Sequence, residues 1–300
     1  MPSVLSLIGA VTVTTISMRL ILFLQPYLKP SKLDRYLTEK DSWALVTGAT
    51  DGLGLAFVQE LAHRGFNVVI HGRDPDKLNG IKTQLEKQYP GRRFQILVLD
   101  ASTTTPQQIT SLSLPPISVL INNVGGGPPG RLWLRFHDRT VQEVADMVTM
   151  NATFTAMLTH RVLGDLQKTQ PPRLVINVGS VVSSLHAAWM EPYCGTKAFI
   201  ESFSEALHVE MVAEGHDNNV EIMCLKAASI STKSSQLPPS FTAPTPRVMA
   251  KAGLDRVGSG RVTTGPLLRH EVMFAVMGML PKATLSKVIN SMNSFKIGRG

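Results

Sequence analysis

Cysteine is nearly absent: Cys194 and Cys224 stand alone in 300 residues, with no CxxC pair. That usage rules out a disulfide-stapled framework and fits a reducing compartment. The eight histidines show no HExxH or similar ligand spacing, so nothing supports a metal site. Aromatic residues make up only 6% of the chain, and no basic helix carries base-stacking aromatics between its cations. Nucleic acid is therefore not an expected partner. No internal repeat and no second core are visible, so the length reads as one large α/β domain.

Acids are scarce at both ends. Residues 1–40 carry five Lys/Arg against two acids, and residues 247–300 carry nine against two, within a net charge of +8. Basic ends on a mildly acidic middle fit an anionic membrane surface. Val4 to Leu24, VLSLIGAVTVTTISMRLILFL, is almost wholly apolar or small and about the length of a bilayer core. Arg19 interrupts it, at a depth from which an arginine can snorkel. No basic region precedes the segment, which argues against a cleaved signal peptide. Lys29, Lys32 and Arg35 follow, so the positive-inside bias keeps the body cytosolic. The expected organisation is a membrane anchor over 1–28, a basic linker over 29–40 and a catalytic domain over 41–300.

What the chain does have is a strand, a glycine turn, a helix and a strand within Ser42–Asp74. Trp43–Val46 is a short apolar run, Thr47-Gly48-Ala49-Thr50-Asp51-Gly52-Leu53-Gly54 turns the chain, and Leu53–His63 is amphipathic. Asn67–His71 is a second buried strand. Such a unit offers a helix N-terminus to a phosphate, and its glycines permit a tight turn, approach to a pyrophosphate and close helix–strand packing. Past the second strand an NAD site wants an acid, and here His71 and Gly72 are followed by Arg73. Arginine suits a 2′-phosphate, which favours NADP(H) unless Asp74 neutralises it as a surface pair.

Further strands are expected at Phe94–Leu99, Ile117–Ile121, Leu174–Val178 and Val220–Leu225, alternating with helices at Asp76–Tyr89, Thr140–Leu166 and Glu191–Glu214. This alternation makes a doubly wound parallel sheet with helices on both faces and a site at the strands' C-terminal ends. Asp100 closes the third strand and could meet an adenine amino group or cap a helix. Asn122-Asn123 could lock neighbouring strand ends, and Gly125 leaves room for a nicotinamide ribose. Asn151, a poor helix-interior residue, calls for a kink or a water. Residues 229–246, rich in Ser, Thr and Pro, read as a lid. Val272–Leu280, VMFAVMGML, is apolar but too short to span a membrane; it could be core, substrate tunnel or membrane-dipping surface.

Tyr193 and Lys197 stand one helical turn apart, and Ser180 ends the strand before them. A phenol titrates near 10, and an adjacent ammonium would draw that value toward neutrality. TGATDGLG, NNVG, Asn151, Ser180 and YCGTK together resemble the short-chain dehydrogenase/reductase family over roughly residues 41–235. The N-terminal segment and VMFAVMGMLPKATLSKVINSMN narrow the resemblance to the membrane-bound branch containing 17-beta-hydroxysteroid dehydrogenases and very-long-chain 3-oxoacyl-CoA reductases.

The resemblance implies a Rossmann-like fold and a tetrad: Tyr193 as general acid, Lys197 lowering its pKa and binding nicotinamide ribose, Ser180 orienting the carbonyl, Asn151 holding a relay water. For NADP(H) it implies Gly48, Thr50, Asp51, Gly52, Leu53, Gly54, Arg73, Asp100, Asn123, Tyr193, Lys197, Ile230 and Thr232. Ala227-Ala228 replace the family's Pro-Gly after the sixth strand. The expected activity is NADPH-dependent reduction of a lipophilic ketone, 3-oxoacyl-CoA or ketosteroid in type, on the cytosolic face of the endoplasmic reticulum membrane. A second copy of the chain is a further expected partner. An NAD-dependent alcohol dehydrogenase and a catalytically silent nucleotide-binding scaffold are the competing readings.

Overall fold

The computed structural model describes residues 3–37, 41–128, 131–164 and 172–293. Residues 38–40 of the expected linker, the end of the glycine-proline run at 129–130, the last residues of the helix expected to reach Leu166, and 294–300 lie outside the described residues. Seven parallel strands form one sheet: β1 Trp43–Val46, β2 Asn67–Gly72, β3 Phe94–Val98, β4 Ile117–Asn122, β5 Arg173–Ser180, β6 Val220–Ala227 and β7 Thr263–Thr264, in the order β3-β2-β1-β4-β5-β6-β7. The chain leaves β1 toward one edge and returns to β4 on β1's other side. A crevice therefore opens at the C-terminal ends of β1 and β4. The six longer strands lie where the apolar runs place them; β7, two residues long, has no run to betray it.

β1 is buried on both faces. Ala44 and Val46 face a layer that includes Phe57, Leu61, Leu78 and Leu254, while Trp43 and Leu45 face Phe154, Leu158 and Met211. That double burial is why the strands read as continuous apolar runs rather than alternating ones. The helices are α1 Val4–Leu28, α2 Gly52–His63, α3 Pro75–Gln88, α4 Pro106–Thr110, α5 Val141–Val148, α6 Phe154–Leu163, α7 Val182–Leu185, α8 Glu191–Ala213, α9 Pro246–Leu254, α10 Leu268–Gly278 and α11 Lys282–Asn293. A π-helical turn, Thr149–Thr153, joins α5 to α6.

α1 stands clear of the domain, with its large apolar side chains from Val4 to Leu22 exposed, and it is long and apolar enough to cross a bilayer. Its last turn is docked. Tyr27 Oη donates to Gly265 O (2.8 Å), Arg256 Nη1 donates to Pro26 O (2.6 Å), and the Arg256 guanidinium lies 4.7 Å over the Tyr27 ring. Residues 29–37, read in the sequence as a basic linker, continue this contact. Leu33 and Tyr36 are each 1% exposed within the main core, and Tyr36 Oη donates to Glu221 at 2.6 Å. The cations around them hid two core residues from a charge-based reading.

Candidate active site

The glycine turn is set by close approach. A Cβ on Gly54 would lie 2.1 Å from Gly48 O and 2.6 Å from Asn123 Nδ2, so no other residue fits there. Gly48 and Gly52 have φ of 61° and 53°, in the left-handed region. Asn123 fastens the turn to β4: its Nδ2 donates to Thr47 O (3.0 Å) and Gly48 O (3.2 Å). Thr47 Oγ1 in turn accepts from the backbone N–H groups of Asn123 and Val124, both at 2.9 Å. Asn123 thus acts as a strut under the turn.

His71, at the position where an NAD site would want an acid, is 1% exposed and sits beneath the turn, its Nδ1 accepting from Gly48 N at 3.2 Å. Burial pushes its imidazole down to about 4, so it is neutral at physiological pH. Asp51 is the N-cap of α2 and Leu53 lies in its first turn. Thr50 packs against Gly72, where a Cβ would come within 2.6 Å of its Cγ2.

Arg73 follows β2 on the surface and makes no ion pair among the described residues. The pairing with Asp74 does not form: Asp74 caps α3, its Oδ1 accepting from Asp76 N and Lys77 N, both at 3.0 Å. Asp100 accepts from Ser102 N (2.9 Å) and Oγ (2.7 Å). Those bonds, together with the nearby Arg73 charge, hold its carboxyl below the usual range despite partial burial. From the far side, Thr232 closes over the turn: a Cβ on Gly52 would meet only Thr232, at 3.3 Å from its Cγ2. Ile230 packs against the main core. The 229–246 segment is tied to itself, Ser231 N donating to Pro244 O at 2.9 Å and Ser235 Oγ to Ile230 O at 2.6 Å. Ala227, standing where proline was expected, continues β6 opposite Ser180, and its carbonyl accepts from Val181 N at 3.1 Å.

Asn151, Ser180, Tyr193 and Lys197 converge beside this crevice. Asn151 is 1% exposed on the π-helical turn. Its Nδ2 donates to Met147 O and Gly126 O, and its Oδ1 accepts from Gly126 N, all at 2.8 Å. Asn151's amide thus takes its partners locally, Met147 O one turn back and the Gly126 backbone, which is how an interior asparagine is accommodated. The one long helix expected from Thr140 is therefore interrupted at this residue. Gly125 lies between Asn151 and Lys197: a Cβ there would sit 2.7 Å from Asn151 Oδ1 and 3.2 Å from Lys197 Nζ.

Lys197 Nζ donates to Val178 O at 2.7 Å and lies 5.5 Å from the centre of the Tyr193 ring. Burial lowers its ammonium to about 8. Burial pushes the Tyr193 phenol up to about 12, outweighing the lowering influence of the Ser180 hydroxyl. The direction is opposite to the expected one, because burial penalises phenolate more than Ser180 favours it. Tyr193 is accordingly a protonated donor at neutral pH.

Around Tyr193 the walls are apolar. Leu132, Trp133, Ala187, Met190, Cys194, Met277, Leu285 and Ile289 form one cluster with it. Arg139, 8% exposed, holds two of the wall segments together. Its Nη1 donates to Arg131 O (2.9 Å), and its Nη2 to Leu132 O (2.8 Å) and Trp189 O (2.9 Å). Arg139 carries no local motif; only the fold brings it to the site.

The short chain dehydrogenase family model matches residues 42–238. A very-long-chain 3-oxoacyl-CoA reductase of Schizosaccharomyces pombe is 32% identical over 253 residues, covering 81% of this chain and 72% of that protein. The corresponding Caenorhabditis briggsae protein is 30% identical over 275 residues, covering 90% and 85%. Among solved structures, a short-chain dehydrogenase from Sphingobium yanoikuyae in complex with NADPH superposes with a TM-score of 0.63 at 22% identity, covering 81% of this chain and 97% of that one.

Proposed function

The chain belongs to the short chain dehydrogenase family and is an oxidoreductase, and from that premise we propose that it reduces a lipophilic ketone, of 3-oxoacyl-CoA type, with NADPH. The convergence of Asn151, Ser180, Tyr193 and Lys197 on the gap left by Gly125 carries the reading. The glycine turn fits a dinucleotide, since the positions where a Cβ would collide leave the N-terminus of α2 open to a pyrophosphate. Arg73, unpaired at the end of β2, fits a 2′-phosphate. When bound, NADPH supplies the hydride.

The chain's own residues do the rest. Ser180 and Tyr193 hydrogen-bond the ketone oxygen, and Tyr193 gives its proton as charge develops there. Lys197, still mostly protonated at pH 7, stabilises the phenolate that remains and anchors a ribose. Asn151 braces the Gly126 backbone and holds the proton-relay geometry. The apolar cluster around Tyr193 receives a hydrocarbon chain and excludes water.

α1 points to membrane association. With Lys29, Lys32 and Arg35 beyond it, the anchor leaves the body on the cytosolic side of the endoplasmic reticulum membrane, where NADPH is available. A homodimer would cover the groove of about 410 Å³ between α5 and α8, lined by Val144, Val148, Pro192 and Phe199. The test of the activity is reduction of long-chain 3-oxoacyl-CoA and ketosteroid substrates by membranes carrying the protein, with NADPH against NADH. NADPH-dependent 3-hydroxyacyl-CoA formation supports it; inactivity toward both substrate classes removes it.

A further inference from the structure

α10 presents two different faces. On its inner side His270 is buried and Met277 joins the cluster around Tyr193. On its outer side Val272 (45% exposed), Val276 (58%) and Met279 (82%) line up at i, i+4 and i+7, with Leu280 beside them. Nothing charged or polar interrupts Val272–Leu280. Phe241, 71% exposed, extends the patch from the 229–246 loop, with the Arg269 guanidinium 4.8 Å from its ring centre. Cations bracket the patch along the chain, with Arg269 before Val272 and exposed Lys282 and Lys287 after Leu280, and Glu271, the one acid in 268–293, is already bonded to Gly265 N.

The place of this patch identifies what covers it. Tyr27, at the end of α1, donates to the carbonyl of the same Gly265 whose N–H donates to Glu271. The exit of the apolar helix and the first turn of α10 are thus one hydrogen-bonded unit. Val276 lies about 8 Å farther along α10 from Glu271, at ~1.5 Å per residue. A helix starting where the anchor leaves the bilayer, apolar outside and bracketed by cations, lies in the headgroup boundary rather than in water. We propose that the outer face of α10 is a second membrane contact, seated on an anionic bilayer beside α1. Met277 on its inner side, with Leu285 and Ile289 of α11, then stands between lipid and Tyr193, so a membrane-dissolved substrate reaches the site from the bilayer. The contact stands without the reductase reading; the route for substrate rests on it.

The test uses the full-length protein reconstituted in phosphatidylcholine/phosphatidylserine vesicles. Val276→Cys and, separately, Met279→Cys are labelled with an environment-sensitive fluorophore, with exposed Gln84→Cys on α3 as the control; Cys194 and Cys224 are buried. Lipids carrying a quenching nitroxide near the headgroup should quench positions 276 and 279 roughly threefold or more beyond position 84, with blue-shifted emission. Water-like emission without quenching at both sites overturns the proposal. A blue shift that rises with protein density but is insensitive to the nitroxide also overturns it, since a second copy of the chain would then be the cover. Neither readout involves turnover, so this contact and the reductase activity can fail independently.

Discussion

Tyr193 shows most plainly how far residue identity goes. Its partners were legible because Ser180, Tyr193 and Lys197 keep fixed spacings around one strand end and one helix. Its titration was not, because burial is a property of the assembled walls; the phenol is pushed up to about 12 and Lys197 down to about 8. Tyr193→Phe removes only the proton donor, so turnover should fall by a factor on the order of 10²–10⁴ while NADPH still binds. Steady-state rates beside cofactor titration of the variant decide this, and wild-type-like rates would remove Tyr193 from the chemistry. Lys197 also gives a pH signature. Its ammonium is present below about 8 and lost above, so kcat/KM for reduction should fall on the alkaline side from about that pH. A profile flat through pH 10 would contradict the role. Arg73, exposed and free of Asp74, should contribute mainly to the 2′-phosphate. Arg73→Ala is expected to weaken NADPH roughly ten- to a hundredfold with little effect on NADH, by about 1.5–3 kcal/mol. Equal weakening of both cofactors in a binding titration would contradict the assignment.

Among elements, the glycine turn was legible as a pattern but not as a construction. Sequence spacing showed where backbone must come close; it could not show that Asn123 Nδ2 and Gly48 O fill the space beside Gly54. Gly54→Ala forces a methyl into those atoms and should cost on the order of 1–3 kcal/mol, with a lowered Tm and weaker cofactor binding. An unchanged Tm would show that the turn can relax. His71, under the same turn, has its pKa lowered from 6.5 to about 4 by burial. The unfolded chain therefore takes up a proton first as pH falls. Stability should drop by on the order of 3 kcal/mol between pH 6.5 and 4 from this residue. His71→Gln, which still offers an acceptor to Gly48 N, should flatten that slope in denaturant titrations across the range. The π-helical turn at Asn151 was foreshadowed by a misfit residue, whereas β7, two residues long, is too short to show any periodicity.

At the scale of the molecule, the doubly wound sheet followed from apolar runs alternating with amphipathic helices, and its order adds the switch point between β1 and β4. The join between anchor and domain was hidden, because Leu33 and Tyr36 sit among lysines and arginines that suggest a solvated linker. Where a truncation is made therefore matters. Removing residues 1–24 should leave Pro26, Tyr27 and the core residues in place, giving a folded domain that fractionates less with membranes. Removing 1–37 deletes two fully buried side chains at roughly 2–5 kcal/mol each and should give an unstable product. Circular dichroism and carbonate-washed membrane fractions of both proteins distinguish these outcomes. The cluster of Met277, Leu285 and Ile289 around Tyr193 also exists only at this scale, since α10 and α11 lie some eighty residues or more beyond Tyr193 in the chain.

The most direct measurement follows hydride and proton together. Membranes carrying the wild-type protein or Tyr193→Phe are given a long-chain 3-oxoacyl-CoA and NADPH deuterated at the transferable position, and the 3-hydroxyacyl product is analysed by mass spectrometry. A reductase with Tyr193 as donor gives product carrying one deuterium at C3, in step with NADPH loss, from wild type and almost none from Tyr193→Phe, although the variant still binds NADPH. Deuterated product formed at comparable rates by both proteins, or none from the wild type with either acyl-CoA or steroid ketones, would contradict it.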